Sequence, residues 1–332
     1  MLARADSLGV PRLSAAAPAA SPAAFPAWAR PEKTPETQAE AAFLAGAALA
    51  RLDLIVRESP PWAGVWRQRL ALRAAAASVA RSGRAEDEGA LRDAVQFTSA
   101  GADPGPAGRN LRAWRALTAG STGRWRPAIL IAAEALAVPL GGPLDAAIAG
   151  AAGCLEGGQA APFAAALTFA HVRPALAPGA GATLGGRGME GELLAAWLAD
   201  SVLAHKLRWP FALPLLGAAL FAGPRWRGAG DADEGDQTTR ILSAYAKAAA
   251  QACDLAAELG RRAQKLQEAA PKLRAKGAGA ALAALLDDDC LSAAARIPGL
   301  SERGARRLFE RLVSLGAIRE LTGRATFRLY GL

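Results

Sequence analysis

The side chains that most often carry enzyme chemistry are scarce in this sequence. Its 332 residues include two histidines, His171 and His205, and three cysteines, Cys154, Cys253 and Cys290. The cysteines are far apart and odd in number, which predicts a reduced, cytoplasmic chain without a bound metal. The motifs of zinc proteases, serine hydrolases, thiol oxidoreductases and dinucleotide-binding enzymes are missing. We therefore expect no cofactor and assign no catalytic residue, although an enzyme with residues scattered over the chain stays open.

Long apolar runs are missing too. The longest, at 210–223, contains prolines and is shorter than the roughly 20 residues of a membrane-spanning helix. The first 26 residues alternate Ala, Pro and Ser instead of forming the apolar centre of a secretory signal. The sequence therefore predicts a soluble protein with no membrane partner.

Aromatic side chains are few, and alanine dominates. Hydrophobic residues make up 52% of the chain but aromatic residues only 6%, which favours closely packed helices over large sheets. The predicted fold is mainly α, a helical bundle followed by a small C-terminal winged helix-turn-helix with a two-stranded β-hairpin. The predicted divisions are a disordered Ala/Pro-rich lead-in at 1–37, the α-helical bundle at 38–268 and the winged helix-turn-helix domain at 269–332.

Apolar spacing and breaks at proline and glycine place the elements of the bundle. Helices are predicted from Gln38 to the Pro60-Pro61 pair and over 62–82, 85–97, 129–138, 162–169 and 189–207, with another around 111–117 and a short buried piece at 209–221. Loops are predicted at 101–108, 178–188 and 231–237. Five tryptophans at apolar helical positions are expected in the core rather than on a base-stacking surface, namely Trp62, Trp66, Trp114, Trp197 and Trp209.

A long helix with a heptad-like seam is predicted after residue 237, with Pro271 as its stop. Its apolar residues recur at spacings of four and three, at Ile241, Tyr245, Ala248, Ala252, Leu255, Leu259 and Leu266. The favoured interpretation is a central helix of the bundle, because seams this short usually serve packing within one chain. The alternative is a homodimer through 241–266, which would suit a two-fold symmetric DNA site.

The residues from 278 onward follow the order of a winged helix-turn-helix. A helix is predicted at 278–286 and a second one near Cys290, with the aspartates at 287–289 as its cap. Metal binding by these aspartates is a weaker alternative, because side chains adjacent in sequence diverge. The next helix follows Ser301 and ends at Gly316. Its predicted buried face consists of Ala305, Leu308, Phe309, Leu312 and Val313.

A hairpin is predicted after this helix, with strands at 318–321 and 326–330 joined by Thr322-Gly323-Arg324. This hairpin is the predicted wing. The alternation of a strand places Phe327 and Leu329 on the side that packs against the helices, opposite Arg328 and Tyr330.

Arginines cluster in the same tail. Residues 290–332 hold eight arginines against three glutamates, so this segment carries +5 of the chain's formal +9. Guanidinium groups hold phosphates and guanine edges through paired hydrogen bonds. The residues predicted to contact duplex DNA are Arg303, Arg306, Arg307 and Arg311 on the helix, and Arg324 and Arg328 on the wing.

The function predicted from these features is that of a DNA-binding regulator, transcriptional or replicon-associated. Two simpler interpretations stay open, a solvated charged face and a winged helix that docks another protein. The sequence identifies no small-molecule effector.

Four segments of the chain carry a resemblance to a known family. They read WAGVWRQRLALRAAAAS at 62–78, DPGPAGR at 103–109, LRWP at 207–210 and PKLRAKGAGA at 271–280. Through them the chain, from about Trp28 onward, is similar to the bacterial domain-of-unknown-function 1403 family, a resemblance that implies no activity.

The tail itself, LSERGARRLFERLVSLGAIRELTGRATFRLYGL, resembles the winged helix that follows the catalytic domain of many Fic-type proteins. The catalytic His-Pro-Phe-x-Asp/Glu-Gly-Asn loop of those proteins does not occur, because His171 precedes Val172 and His205 precedes Lys206. Nucleotidyl transfer is therefore not implied, and a degenerate Fic-related enzyme stays only as an alternative.

Overall fold

The computed structural model describes residues 25–31, 33–99, 101–177, 187–222, 234–324 and 326–332. In these ranges the fold is mainly helical, as the sequence predicts, with one small antiparallel sheet near the C-terminus. The helices are α1 (Gln38–Glu58), α2 (Ala63–Arg81), α3 (Glu88–Gln96), α4 (Gly105–Ala119), α5 (Trp125–Ala135), α6 (Gly142–Glu156), α7 (Ala161–Ala175), α8 (Arg187–Lys206), α9 (Leu215–Ala222), α10 (Glu234–Ala269), α11 (Ala278–Asp287) and α12 (Glu302–Ser314). The strands are β1 (Leu291–Ser292), β2 (Arg319–Glu320) and β3 (Leu329–Gly331).

The apolar seam of α10 is used inside the chain. All seven residues predicted for this seam are buried, and α10 packs along α1. Arg30 adds two hydrogen bonds of 2.8 Å to the carboxylate of Asp254 on α10. The interpretation as a helix of the bundle is confirmed. A homodimer through 241–266 is not supported, because the chain itself covers the seam.

The five tryptophans predicted for the core are buried. Burying an indole leaves its N–H in need of an acceptor, and the fold supplies one for each of four rings. Trp66 donates to the carbonyl of Ala252 over 3.0 Å, and Trp197 donates to the carbonyl of Ala113 over 3.1 Å. Trp114 donates to the hydroxyl of Ser78, and Trp209 donates to the carboxylate of Asp53. These side chains therefore connect helices within the core and are not a surface for bases.

Clusters of glycine and proline mark helix starts in this fold, where the sequence predicts only loops. The Gly141-Gly142-Pro143 break opens α6, a helix that was not predicted. The predicted loop at 101–108 ends early, because α4 begins at Gly105 with Pro106 in its first turn. Proline is favoured there, since the first amides of a helix lack partners within it.

Two segments predicted to lack structure are partly ordered. Of the lead-in, residues 1–24 lie outside the described residues, but Phe25 and Ala29 are buried and 27–29 form a 3₁₀ turn. Of the acidic segment at 231–237, the residues from 234 onward belong to α10. The glycine-rich segment at 178–188 falls outside the described residues except for its last two positions, which begin α8.

The residues after α10 pack closely on the helices before it. Side chains from 38–268 and from 269–332 belong to one hydrophobic cluster. Gly64 of α2 lets α11 approach so closely that a Cβ at this position would lie 2.6 Å from the Cα of Asp287. None of the helices in the described ranges combines the length and the apolarity that crossing a membrane requires.

Candidate nucleic-acid interface

Helix α12 forms where the sequence predicts it. The hydroxyl of Ser301 accepts a hydrogen bond of 3.1 Å from the amide of Gly304 and so caps the first turn. Ala305, Leu308, Phe309 and Leu312 are buried. The expectation for Val313 is wrong, since this side chain is 37% exposed. At 100° per residue, its position turns to the edge of the buried face.

Gly316 terminates α12 as predicted, two residues after the last helical residue, Ser314. The φ of Gly316 is +67°, a left-handed conformation that glycine adopts without strain. The amide of Ala317 then donates to the carbonyl of Leu312 over 3.0 Å, which satisfies one of the free carbonyls of the last turn. The chain thereby reverses directly into β2.

The predicted hairpin is present but short. Arg319 pairs with Gly331 and Glu320 with Tyr330 in an antiparallel register. The carboxylate of Glu320 accepts hydrogen bonds from the amides of Thr322 and Gly323, at 2.8 and 3.0 Å. Partial burial raises the pKa of Glu320, but the hydrogen bond from the Thr322 hydroxyl, together with those from the two amides, outweighs it and the pKa is lowered. Glu320 thus organises the turn that the sequence assigns to glycine alone.

The side-chain alternation predicted for the second strand is wrong. Leu329 and Tyr330 are both buried, whereas Phe327 is 73% exposed. The strand begins only at Leu329, and Phe327 itself has a φ of +56°, outside the extended region. Both faces of β3 are covered, because the Tyr330 ring lies 5.0 Å from that of Phe309 on α12 and the neighbouring Leu329 is fully buried as well.

The helix predicted near Cys290 is wrong as well. Residues 291–292 form β1, which pairs antiparallel with β3 at Leu291↔Tyr330, and turns follow up to Ser301. The sheet therefore has three strands in the order β1-β3-β2. The aspartates at 287–289 start no helix, since Asp287 ends α11 and the Asp289 carboxylate is held by arginines of the bundle.

Four predicted DNA contacts lie on the exposed side of α12. Arg303, Arg306, Arg307 and Arg311 are all exposed, opposite the buried face. Arg306 forms an ion pair of 3.6 Å with Glu302, one turn earlier. Among the described residues, Arg303, Arg307 and Arg311 have no ion pair. The structure thus brings three guanidinium groups together without engaging them, with Glu302 and Glu310 beside them.

The two hairpin arginines differ from those on the helix. Arg328 is exposed, and its Nε donates to the carbonyl of Arg324 over 3.0 Å. Arg324 is 54% exposed but forms an ion pair with Asp93 on α3. The Phe327 ring lies 5.7 Å from the ring of Phe97, in the segment after α3, in an edge-to-face arrangement. The loop between β2 and β3 therefore rests on the bundle.

A buried charge cluster attaches this region to the bundle. Asp289 is fully buried between Arg69 of α2 and Arg92 of α3, and both guanidinium groups donate to its carboxylate. Burial raises the pKa of Asp289, but the two arginines outweigh it, so the pKa is lowered and the carboxylate stays ionised. The sequence did not identify this cluster, because its members are distant along the chain.

The contacts of this cluster also bear on the alternative that the aspartates at 287–289 bind a metal ion. In the described ranges, no three side chains of His, Cys, Asp or Glu come together in a way that could hold a metal ion. Asp289 is engaged by two arginines, and Asp288 lies 3.4 Å from Arg115. These aspartates serve the attachment of the C-terminal residues.

A basic segment lies beside the start of α12. Lys272, Arg274 and Lys276 are exposed in the stretch after α10. The stretch touches the turn before α12, since a Cβ on Gly277 would lie 2.7 Å from the carbonyl oxygen of Pro298. The positive surface around α12 therefore includes residues that precede the arginine-rich tail. The DNA contacts predicted from the sequence also leave out two exposed arginines of the tail, Arg296 and Arg319.

A groove of about 710 Å³ separates α12 from the bundle. One wall is the flank of α12 with Glu302, Arg306 and Glu310, and the other is the segment 96–99 after α3. The hairpin residues 326–328 close one end. The groove is too small for a duplex, whereas the outer face of α12 is exposed.

A family model described as a protein of unknown function, DUF1403, matches residues 14–332, nearly the whole chain. No curated protein matches the sequence.

Proposed function

The chain belongs to the DUF1403 family of proteins of unknown function, and we propose that it binds duplex DNA through α12 and the β2–β3 hairpin. The observation that carries this proposal is the exposed row of arginines on α12. Arg303, Arg307 and Arg311 have no counter-ion among the described residues. A helix that projects unpaired guanidinium groups from a rigid support matches the way recognition helices meet phosphates and base edges.

The order of elements supports a winged helix-turn-helix. α11, β1, α12, β2 and β3 follow one another, and the hairpin comes directly after the proposed recognition helix. Turns at 293–300 stand where a further helix is expected. A winged helix of the kind found behind Fic catalytic domains is therefore proposed in a reduced form.

The surroundings of α12 also favour a polyanion. The basic segment with Lys272, Arg274 and Lys276 extends the positive surface past the N-terminus of the helix. Backbone amides at that end add partial positive charge. The role proposed for the protein is that of a regulator, transcriptional or replicon-associated, whose bundle holds the DNA-binding elements in a fixed orientation.

The salt dependence of binding tests this proposal. Binding of the full chain to random-sequence duplex DNA should weaken as salt rises, with a log–log slope of about −4 to −5 for four to six phosphate contacts. The double variant Arg306→Ala/Arg307→Ala should bind more weakly and lose about two units of slope. Fluorescence anisotropy at several salt concentrations measures both quantities.

The control variant is Arg124→Ala/Arg126→Ala, which removes the same charge from exposed positions around the start of α5. It should bind as the unchanged protein does. A flat salt response, or equal losses in the two double variants, would contradict the proposal. The alternative, docking of another protein by the same helix, would then be favoured by the exposed Phe327 ring and the adjacent groove.

A further inference from the structure

Three elements bring guanidinium groups to the end of strand β3. Arg319 lies in β2, where it pairs with Gly331 in the antiparallel register. Arg69 of α2 reaches the next residue of the chain, since its Nη2 donates to the main-chain oxygen of Leu332 over 3.5 Å. Arg262 of α10 lies close enough for the charges of Arg319 and Arg69 to act on it. These arginines are distant in sequence, so only the fold brings them together.

The guanidinium group of Arg262 is not fully satisfied. Its Nη2 donates to the carboxylate of Glu258, one turn earlier in α10. Its Nη1 is buried and has no hydrogen-bond acceptor in the part of the chain that the structure describes. A buried donor without an acceptor costs free energy, and an acceptor that enters from outside would recover it.

Positive charges outnumber negative ones around Arg262. Burial lowers the pKa of Arg262, and the charge of Arg319 lowers it further. Arg69 and Arg261 act in the same direction, whereas Glu258 opposes them. Arg261 and Arg319 are exposed and have no ion pair within the described ranges. The surroundings of Arg262 therefore favour an additional anion.

The other negative groups near this cluster are already engaged. The Asp289 carboxylate accepts hydrogen bonds from Arg69 and from Arg92. The main-chain oxygen of Leu332 is the second acceptor of Arg69. Among the described residues neither group pairs with Arg262, so one carboxylate, that of Glu258, serves it.

We propose that Arg262, Arg319 and Arg261 bind a phosphate group. A phosphate group presents several acceptor oxygens, so it can accept from Nη1 of Arg262 and pair with the guanidinium of Arg319 at the same time. Arg69 adds to the attraction while it keeps its bond to Asp289. The approach from solvent is open, because Arg261 and Arg319 are exposed.

Inorganic phosphate is the probe for this site. Calorimetric titration of the full chain at constant ionic strength should show one phosphate bound. Arg262→Met should raise the dissociation constant at least about tenfold, the worth of a hydrogen bond to a charged group. Arg319→Ala changes an exposed side chain that the fold does not need, and it should raise the dissociation constant about two- to fivefold.

The matched control is Arg240→Met. Arg240 lies in the same helix and also pairs with a carboxylate one turn earlier, that of Asp236, over 4.0 Å. This variant should bind phosphate as the unchanged chain does. A general effect of phosphate as a salt would raise the melting temperatures of both methionine variants equally, whereas a bound phosphate stabilises only the variant that keeps Arg262.

Melting in chloride buffer separates binding from a structural role. Methionine keeps most of the volume of Arg262 and removes its repulsion from the neighbouring arginines. Arg262→Met should therefore melt within about 3 °C of the unchanged chain when phosphate is absent. A large loss of stability in chloride, with an unchanged dissociation constant for phosphate, would assign Arg262 a structural role and overturn the proposal.

Duplex titrations identify the source of the phosphate group. A phosphate of the DNA backbone predicts that Arg262→Met lowers the log–log salt slope by about one unit and that Arg240→Met does not. A small free phosphate compound predicts an unchanged slope together with the loss of phosphate binding. Either result supports the site.

The proposal is overturned if Arg262→Met and Arg240→Met respond alike to phosphate and to duplex DNA. Water would then be the acceptor for the buried N–H group. The site does not rest on DNA binding by α12, because Arg306→Ala/Arg307→Ala should leave the dissociation constant for inorganic phosphate unchanged. Failure of the DNA titration and failure of the phosphate titration are therefore judged separately.

Discussion

The carboxylate of Asp289 shows how much one residue contributes to the placement of the arginines. It lies between Arg69 and Arg92, whose guanidinium groups are themselves nearly buried. Water does not compensate a buried guanidinium, so both arginines depend largely on this carboxylate, although Arg92 also pairs with Glu88 over 3.4 Å. Removing it would leave Arg69 without a carboxylate partner and Arg92 with Glu88 alone, at the point where the C-terminal residues meet α2 and α3.

We expect Asp289→Asn to lower the free energy of unfolding by about 3–5 kcal/mol, the range for breaking a buried charge cluster. Urea denaturation measures the loss. The control is Asp254→Asn, which removes the exposed partner of Arg30 and should cost less than ~1 kcal/mol. Similar losses in the two variants would show that the buried cluster contributes no more to stability than an exposed ion pair does.

The pH dependence of stability follows from the same residue. The pKa of Asp289 is lowered in the folded state, so its contribution is fully present above the unfolded pKa of about 3.9 and is lost as pH falls through the folded value. Asp289→Asn should therefore flatten the acid limb of a plot of unfolding free energy against pH. An unchanged acid limb would contradict the assignment.

At the scale of elements, α11 and the turn before α12 meet at a position that only glycine fits. A Cβ on Gly277 would lie 2.6 Å from the Leu300 side chain and 2.7 Å from the Pro298 carbonyl oxygen. Two residues later, Gly279 in α11 has open space in front of it. The two glycines are close in sequence but differ completely in what surrounds them.

We expect Gly277→Ala to destabilise the protein by about 1–3 kcal/mol, because the turn must move to admit a methyl group. Gly279→Ala should be neutral or stabilising by up to about 1 kcal/mol, since alanine is the better helix former. Thermal or urea denaturation of the two variants distinguishes the cases. Equal effects would mean that α11 does not pack on the turn as described.

The β2–β3 hairpin offers a second comparison at this scale. Arg324 is paired with Asp93, and a phosphate must compete with that carboxylate if the hairpin contacts DNA. Asp93→Asn should therefore tighten duplex binding about two- to fivefold, the worth of an exposed ion pair, and add about one unit of salt slope. Anisotropy titrations measure both changes.

Glu86→Gln is the control for Asp93→Asn. This substitution removes the same charge just before α3. Glu86 itself pairs with Arg84 rather than with the hairpin. A general decrease in repulsion from DNA would affect both variants equally, whereas release of Arg324 affects only the first. Equal gains would show that Arg324 takes no part in binding.

At the scale of the whole molecule, the C-terminal residues are part of one continuous core. The cluster at Asp289, the contact of Gly64 with Asp287 and the ring pair of Phe97 and Phe327 all join them to α2 and α3 or to the segment after α3. Helix α12 therefore packs on the same core as α2 and α3.

Helix α12 was predictable because everything that defines it is local. Ser301, the spacing of Ala305, Leu308, Phe309 and Leu312, and Gly316 act within a few residues of one another. The exposed arginines follow from the same period, since residues that are not on the apolar face are on the other one.

Strand β1 was not predictable because it depends on β3, far along the chain. The run of alanines after Leu291 favours a helix locally, but β3 offers a row of backbone partners and Gln96 donates to the carbonyl of Cys290 over 3.2 Å. The prediction that Phe327 packs against the helices was wrong for a related reason, since the alternation of side chains holds only where a strand is paired.

The amino-acid sequence by itself determined the helical class of the chain, the five buried tryptophans, the seam of α10 and the positive face of α12, because each follows from composition or from a period of a few residues. The tertiary structure alone decided that Asp289 binds Arg69 and Arg92, that Arg324 meets Asp93, and that α1 covers the seam of α10. The physical reason is that these outcomes depend on which distant surfaces come into contact. The spacing of residues within a short segment does not determine those contacts.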